Sequence, residues 1–379
     1  MSRSTGFILL FFPSVTFSLI NAEIFPWALI ISLFLIVQQK FIVTKQVIVY
    51  SSIILLSATY TFAVFKSYDE IIRSVIAYLN PLLIYLLLKK TNYRLHQSAI
   101  ISLRIILFFL LLQILVPGLI ENLVGILLRR GSTDWSGSRG ISALSSEPSR
   151  LGYEIIFIYL IIREKYSYKK LFDILILAIQ LFVIKSFTGF VFTLIMLAAI
   201  NPRKFILISV ASISILTNYF LFNPQSRAIS TVYKILSSSS LIEITELLMT
   251  QSGFRGLSLI STLFFALNNP IGYGIGNWKL SSNHAILQIS EIASQSNYLQ
   301  SRNIDLTDFS FRPTSFSGNL FLDFGTLGLI FSILFAFYIL KRNGFTPINS
   351  TFLFYFFVIG TVGNPIPWIA LALHQNSNE

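Results

Sequence analysis

The sequence has no cysteine, only three histidines and few charged residues. The lack of cysteine excludes disulfides, thiol nucleophiles and thiolate metal ligands. With only His96, His284 and His374 available, a histidine-based metal site is not expected. Charged residues make up 12% of the 379 residues, against roughly 25% in an average soluble domain. A soluble protein of this length needs a polar surface that this composition cannot supply.

Hydrophobic residues are abundant instead, at 54% of the chain, and the mean hydropathy is +0.73. The apolar stretches are continuous rather than alternating, which favours helices over an outer-membrane barrel. We therefore expect an all-α polytopic membrane protein with about 11 transmembrane helices (roughly 10–12), the first kept rather than cleaved as a signal peptide. The predicted spans are 6–21, 24–38, 47–65, 71–88, 99–119, 151–162, 171–185, 187–200, 205–222, 318–340 and 350–372.

The basic residues predict an orientation. With the N-terminus in the cytoplasm, every short inside connection carries Lys or Arg, as the positive-inside rule requires. Two long loops, at about 119–150 and 223–317, then lie outside the cytoplasm. The predicted organisation is N-terminal helices at 1–120, a loop at 121–150, central helices at 151–222, a large loop at 223–317 and C-terminal helices at 318–379.

Arginine is concentrated in the two long loops. The inside segments hold nine lysines and five arginines, whereas the loops hold eight arginines and two lysines. Long loops escape the orientation rule, so this bias has a neutral explanation. Alternatively, it indicates an outward-facing site for a phosphorylated substrate, because arginine pairs with phosphate through two parallel hydrogen bonds.

The first candidate segment, 129–150, is rich in Gly and Ser and leads to Glu147-Pro148. Glycine lets a backbone approach a ligand closely, and proline suits the first turn of a helix. Glu147 has two interpretations: a helix cap paired with an arginine, or a carboxylate at the membrane surface that activates or orients a sugar hydroxyl. The arginines of the segment are Arg129, Arg130, Arg139 and Arg150.

The second candidate segment lies between Arg255 and Asn277. Apolar residues recur at helical spacing over 257–267, which predicts an amphipathic helix that lies on or re-enters the bilayer and ends at Pro270. Three alternate glycines follow, ending at Gly276. No βαβ pattern surrounds them, so a tight turn is favoured over a nucleotide site.

The third candidate segment, which contains Asn319 and Asp323, enters the tenth predicted span. Asp323 is about one turn inside the membrane boundary, where an unpaired charge costs up to ~3 kcal/mol, so a partner or a wet cavity is expected. The alternative is an ion pair between packed helices or a side chain that reaches the interface. The same alternatives apply to Arg73, Arg104 and Glu154.

Together, four short patterns resemble the bacterial O-antigen polymerase family (Wzy-type), in the wider group that includes O-antigen ligases. The likeness covers about residues 125–335. Ligase-like members have a histidine before the asparagine of the fourth pattern, where this chain has Gly318, which counts against a ligase. The patterns are Arg139-Gly140 with Glu147-Pro148-Ser149; Ser186-Phe187-Thr188-Gly189; Ser252-Gly253-Phe254-Arg255 with Asn269-Pro270 to Gly276-Asn277; and Asn319 to Asp323 with Gly325 and Gly328.

This resemblance implies a metal-independent membrane glycosyltransferase that uses no cofactor, in the bacterial inner membrane with its site facing the periplasm. It implies that undecaprenyl-pyrophosphate-linked oligosaccharides are polymerised into O-antigen or capsular polysaccharide. Membrane lipids and a chain-length regulator are the further partners implied, and nucleic acid is not. Glu147 and Arg255 are the predicted catalytic residues. The predicted substrate-binding residues are Arg130, Arg139, Arg150, Asn277, Asn319 and Asp323.

Three other functions stay open at this stage. An O-antigen ligase would transfer the glycan to a lipid acceptor instead of another repeat unit. A transporter or flippase for lipid-linked sugars predicts internal repeats and charges near the membrane midplane, whereas the sequence shows no repeat and its charges gather in the outer loops. A structural membrane protein without activity does not account for clustered arginines and carboxylates in long loops.

Overall fold

A computed structural model describes residues 5–15, 26–38, 45–65, 70–90, 95–116, 140–166, 170–201, 237, 254–294, 296–300 and 302–377. Regular secondary structure in these residues is helical throughout, without strands, which confirms the predicted all-α class. The predicted span 205–222 and most of the loop 121–150 lie outside them.

The helices are numbered here in chain order. They are α1 Pro26–Gln38, α2 Lys45–Phe65, α3 Ile71–Lys90, α4 His96–Leu115, α5 Pro148–Lys165, α6 Lys170–Ala178, α7 Phe187–Ile200, α8 Phe254–Asn268, α9 Trp278–Leu287, α10 Ser290–Ser294, α11 Asn297–Gln300, α12 Phe316–Asn343, α13 Pro347–Phe357 and α14 Ile366–Ser377. A 3-10 helix at Thr5–Phe11 precedes them, and a π-helix at Ile179–Ile184 continues α6.

Among the residues that the structure describes, four helices are long and apolar enough to cross a membrane: Lys45–Phe65, Ile71–Lys89, His96–Leu115 and Phe316–Asn343. Helices α1, α7 and α8, and α6 with its π-helix, are apolar but shorter. On α2, the side chains of Ile48, Leu56 and Phe62 are more than half exposed. Large apolar side chains on the outside suit hydrocarbon rather than water. The fold is therefore that of a helical membrane protein, and the total of about eleven spans stays a prediction.

Helix α5 forms the centre of the bundle. Every residue from Arg150 to Ile162 is buried, as expected for a helix surrounded by other helices. Its tightest neighbour is α7, because a Cβ added to Gly152 would lie 2.8 Å from the Cα of Gly189. Small residues at such a crossing let two membrane helices approach closely.

Several helix ends meet at one end of the bundle. His374 Nδ1, near the end of α14, lies 2.5 Å from Glu164 Oε1 at the end of α5. Its Nε2 is 3.0 Å from Thr346 Oγ1, where α13 begins, and Asn376 Nδ2 donates to Leu88 O at the end of α3. We name this region the basic end. Its basic residues are Lys89, Arg163, Lys165, Lys341 and Arg342.

The prediction of a single span at 350–372 is wrong. Two short helices, α13 and α14, occupy this segment, and residues 358–365 between them are not helical. Gly363 takes a φ of +97°, which a right-handed helix cannot contain, and Pro365 removes a backbone donor.

These two helices form a hairpin that starts and finishes at the basic end. Helix α13 begins there after Thr346, and the turn at 358–365 reaches the far side, where Gly360 N donates to Thr314 O at 2.9 Å. Helix α14 then returns, so that His374 contacts Glu164. We name residues 347–377 the C-terminal hairpin.

The predicted span 318–340 is also not one straight helix. Gly325, inside α12, has φ +58° and ψ −135°. The rings of Phe316 and Phe335 both pack on the ring of Phe356, with centroid distances of 5.2 and 5.4 Å. A straight helix would separate two residues nineteen positions apart by about 28 Å. Helix α12 is therefore bent sharply into a first arm, 316–324, and a second arm, 326–343.

The remaining predicted spans agree with the structure to different degrees. Helices α2, α3, α4, α5 and α7 occupy the spans predicted for them. The first predicted span, 6–21, is wrong as a continuous helix, because a 3-10 helix ends at Phe11 and a turn follows at Pro13. Proline removes one backbone donor and so interrupts helical hydrogen bonding at this point.

Candidate functional site

Side chains from the first turns of three helices meet at the end of α5 opposite the basic end. Ser149, Thr188 and Arg255 are each the second residue of their helix, in α5, α7 and α8 respectively. Glu147 precedes α5 as its cap residue in an extended conformation. We name these four residues the Arg255 cluster. Helix N-termini carry partial positive charge, so those of α5 and α7 together with one guanidinium favour an anionic ligand.

The guanidinium of Arg255 is the centre of this cluster. Its Nη1 donates a hydrogen bond to Thr188 Oγ1, and its Nη2 donates to Ser149 Oγ at 2.9 Å. Nη2 also lies 3.6 Å from Glu147 Oε1, which makes an ion pair. Ser149 Oγ donates to the same carboxylate oxygen at 2.6 Å. The predicted catalytic pair, Glu147 and Arg255, is thus brought together from two distant parts of the sequence.

Both members of the pair remain accessible. The Arg255 side chain is 30% exposed and that of Glu147 is 51% exposed. An exposed ion pair contributes little stability, typically ~0–1 kcal/mol, because water already solvates both charges. Glu147 occupies the cap position of α5, where its side chain makes no capping hydrogen bond, and it pairs with an arginine. Its action on a sugar hydroxyl stays a prediction.

Local sequence sets where α5 and α7 begin, and a contact between two glycines brings their first turns together. Pro148 has the backbone angle that the first turn of α5 needs. Ser186 caps α7 by accepting a hydrogen bond from Gly189 N at 3.1 Å. The close contact between Gly152 and Gly189 then fixes the two first turns side by side.

Helix α8, which carries Arg255, is confirmed as a helix at the predicted place and ends at Asn268. Its packed face differs from the predicted apolar one. Ser258, Ser261 and Thr262 are buried, whereas Phe264 and Leu267 are 44% and 60% exposed. The hydroxyl-bearing face is buried together with Leu257 and Phe265, as small polar residues are between membrane helices, and only part of the apolar set points away from the protein.

The turn of the C-terminal hairpin contacts α5 about one helical turn after the cluster. Tyr153 Oη, one turn into α5, is 3.2 Å from Thr361 Oγ1. Asn364 Nδ2 donates to Glu154 Oε1 at 2.9 Å and to Tyr153 Oη at 3.3 Å. These contacts tie residues 358–365 to the helix that carries Glu147 and Ser149.

Arg150 is not in the loop where the sequence placed it. It lies in the first turn of α5, is 7% exposed and interacts electrostatically with buried Glu154. The predicted span 151–162 starts too late, because α5 begins at Pro148, the proline that the sequence placed in a first helical turn. Its role in substrate binding stays a prediction.

Asp323 has the partner that its burial requires. It is 6% exposed, and Tyr78 Oη donates to its Oδ2 at 2.6 Å. The bend at Gly325 frees two backbone carbonyls beside it, those of Leu322 and Asp323. They accept hydrogen bonds from the backbone N–H groups of Tyr273 and Gly274, at 3.1 and 3.0 Å.

Asn277 and Asn319 lie where helices α9 and α12 begin. The tight turn predicted before Asn277 is confirmed, since Gly274 and Gly276 take φ angles of +81° and +97°. Asn277 is 6% exposed at the start of α9. Asn319 Nδ2 donates to Ser315 O at 2.7 Å, within the first turn of α12. The structure therefore joins Glu147 with Arg255 and holds Asn277, Asn319 and Asp323 by contacts of their own.

Two predicted substrate-binding residues, Arg130 and Arg139, lie outside the described residues. Among the residues that the structure does describe, no group of three or more His, Asp and Glu is placed to hold a metal ion. Arg73 forms an ion pair, which was one of the alternatives predicted for it: its Nη1 lies 3.8 Å from Glu70 Oε2.

Sequence reasoning did not assign roles to Ser149 and Thr188, although both stand within the short patterns described above. Their hydroxyls are the hydrogen-bond acceptors of Arg255. Their shared position at the second residue of a helix was the available signal, but it does not show which helices meet.

Comparison of the chain with protein families, curated proteins and solved structures gives no match.

Proposed function

We propose that this protein is a membrane glycosyltransferase that polymerises undecaprenyl-pyrophosphate-linked oligosaccharide units into O-antigen or capsular polysaccharide. The observation that carries the proposal is the Arg255 cluster. Short patterns that resemble the polymerase family stand 67 and 106 residues before Arg255, and their side chains touch its guanidinium. These contacts bring three segments that are far apart in the sequence to one arginine.

The cluster provides the two groups that transfer from a lipid pyrophosphate needs. The acceptor hydroxyl oxygen attacks the anomeric carbon of the donor glycan, and the bond from that carbon to the pyrophosphate oxygen breaks. The electron pair leaves with undecaprenyl pyrophosphate. Arg255 and the surrounding helix N-termini stabilise the developing negative charge. The hydroxyl proton passes to the carboxylate of Glu147.

The charge distribution supports a periplasmic position for this chemistry. The Arg255 cluster and the basic end lie at opposite ends of α5, which is roughly 27 Å long. The positive-inside rule assigns the end with Lys89, Arg163 and Arg342 to the cytoplasm. The cluster then faces the periplasm of a bacterial inner membrane, where assembled lipid-linked units are available.

Deletion of the protein tests the class of activity, with the ladder of surface glycan lengths as the measurement. A polymerase predicts loss of the ladder while glycan with a single repeat unit is kept. Loss of all surface glycan contradicts a polymerase and indicates a ligase or a flippase. An unchanged ladder contradicts any role in this pathway.

Glu147→Gln tests the proposed site in the complemented deletion strain. Loss of a general base typically lowers the rate ~10²–10⁴-fold, so the ladder should nearly disappear. Glu291→Gln is the matched control, because Glu291 is an exposed glutamate on α10 and is not one of the four residues of the cluster. Both variants are compared at equal abundance in the membrane. A full ladder with Glu147→Gln would assign this residue to a structural role as the ion-pair partner of Arg255.

A further inference from the structure

The guanidinium of Arg255 is held by two hydroxyls from two different helices. Thr188 of α7 accepts from Nη1, and Ser149 of α5 accepts from Nη2 at 2.9 Å. Thr188 is 4% exposed, so its hydroxyl lies inside the protein and not on the surface. The position of Arg255 is therefore set by α5 and α7 and not only by α8, on which it stands.

This arrangement leaves hydrogen-bond donors for a ligand. A guanidinium has five N–H groups, and the two hydroxyl acceptors engage two of them. The side chain is 30% exposed, so the remaining donors can reach a bound anion. An arginine side chain loses up to ~2 kcal/mol of rotamer entropy when it is ordered, and the two hydroxyls remove this cost before the ligand arrives.

Ser149 also connects the two charges of the cluster. A hydroxyl has one donor, and Ser149 uses it towards Glu147 Oε1 at 2.6 Å while it accepts from Arg255. The carboxylate thereby stays 3.6 Å from Nη2, beyond the length of a direct hydrogen bond. The second carboxylate oxygen, Oε2, can then receive a proton from a substrate.

We propose that Thr188 and Ser149 are positioning residues, which orient Arg255 towards the pyrophosphate of a lipid-linked donor. The identity of that ligand rests on the proposed function. The orientation itself rests on the hydrogen bonds of the Arg255 cluster.

The first test compares Thr188→Val with Thr188→Ser in the purified protein. Valine keeps the shape and removes the hydroxyl, and serine restores the hydroxyl. Loss of a hydrogen bond to a charged group predicts about a 10- to 100-fold fall in kcat/KM of polymerisation for valine. Thr188→Ser should recover most of the activity. Thr193→Val is the matched control, because Thr193 is buried on the same helix and its hydroxyl donates to Gly189 O of that helix, at 2.8 Å, and not to Arg255.

A double-mutant cycle distinguishes positioning from a general effect on folding. If Thr188 acts through Arg255, Thr188→Val should have little further effect in an Arg255→Ala background. An equal fold loss in both backgrounds would overturn the proposal, and so would Thr188→Val activity equal to that of Thr193→Val.

A binding measurement separates this inference from the proposed function. Geranylgeranyl pyrophosphate serves as the probe, and its effect on the melting temperature of the detergent-solubilised protein is measured. The wild type and Thr193→Val should be stabilised, and Thr188→Val and Ser149→Ala should lose the shift. No shift in the wild type overturns the inference. A Thr188-dependent shift in a protein whose deletion leaves the glycan ladder unchanged supports the inference and contradicts only the polymerase activity.

Discussion

Substitution of Gly325 by alanine tests the bend in α12. Its φ of +58° with ψ of −135° is a conformation that costs a non-glycine residue about 1–3 kcal/mol. A Cβ at this position would also lie 2.1 Å from Asn269 O. That oxygen accepts the backbone N–H of Thr326 at 2.9 Å, so it cannot move freely. Such overpacking adds roughly 1–3 kcal/mol.

Gly344 provides a matched control at the end of the same helix. It has a φ of +64°, and no atom lies within 4 Å of an added Cβ. Gly344→Ala should therefore show the backbone strain alone, about 1–3 kcal/mol. Gly325→Ala should show strain and steric conflict together, roughly 2–6 kcal/mol in the free energy of unfolding.

The assay is reversible unfolding in mixed micelles, followed by tryptophan fluorescence. Trp368 is a suitable reporter, because its ring contacts those of Phe316 and Phe335, one on each arm of α12. The glycan ladder of the same variants shows whether the bend is needed for activity. Equal destabilisation by Gly325→Ala and Gly344→Ala would refute the close approach of Asn269 to the bend.

Three further predictions follow from other contacts. Arg255→Lys should reduce the amount of polymer about 10-fold or more, because lysine keeps the positive charge but lacks the planar guanidinium that makes two parallel hydrogen bonds. A normal glycan ladder at equal expression would exclude such bidentate contact. Tyr78→Phe removes the hydrogen-bond donor of buried Asp323 and should lower the free energy of unfolding by ~1–3 kcal/mol, measured by denaturant titration. No change would indicate that another group donates to the carboxylate. A reporter fused after the C-terminus should read cytoplasmic, because His374 pairs with Glu164 at the basic end, and a periplasmic signal would contradict the C-terminal hairpin.

Much of the fold could be predicted from local sequence. The boundaries of α7 were predicted at the residues where the structure has them, 187–200. Ser186 and the apolar run after it are adjacent in sequence, so cap and hydrophobicity together define that helix. The helix that begins near Arg255 and ends before Pro270 was predicted for the same reason.

The errors occurred where distant contacts interrupt an apolar run. Residues 318–340 and 350–372 are both apolar enough for one span, and hydropathy does not show where a helix bends. The bend at Gly325 depends on Asn269, Tyr273 and Gly274, which satisfy its backbone groups from another segment. In the membrane interior such unwinding is stable only where protein supplies those hydrogen bonds.

The candidate site, too, was predicted from the sequence only in part. The sequence alone determined that the protein is helical and apolar. It also showed that the short connections on one predicted side all carry Lys or Arg, and that Glu147 and Arg255 are candidates for testing. Composition, charge and short patterns are local properties. Only the tertiary structure decided that these two residues meet, that Arg150 is buried, and that the hydroxyls of Ser149 and Thr188 hold the guanidinium. Those facts depend on how α5, α7 and α8 pack, through contacts such as that of Gly152 with Gly189, and contacts between distant segments leave no local signal in one sequence.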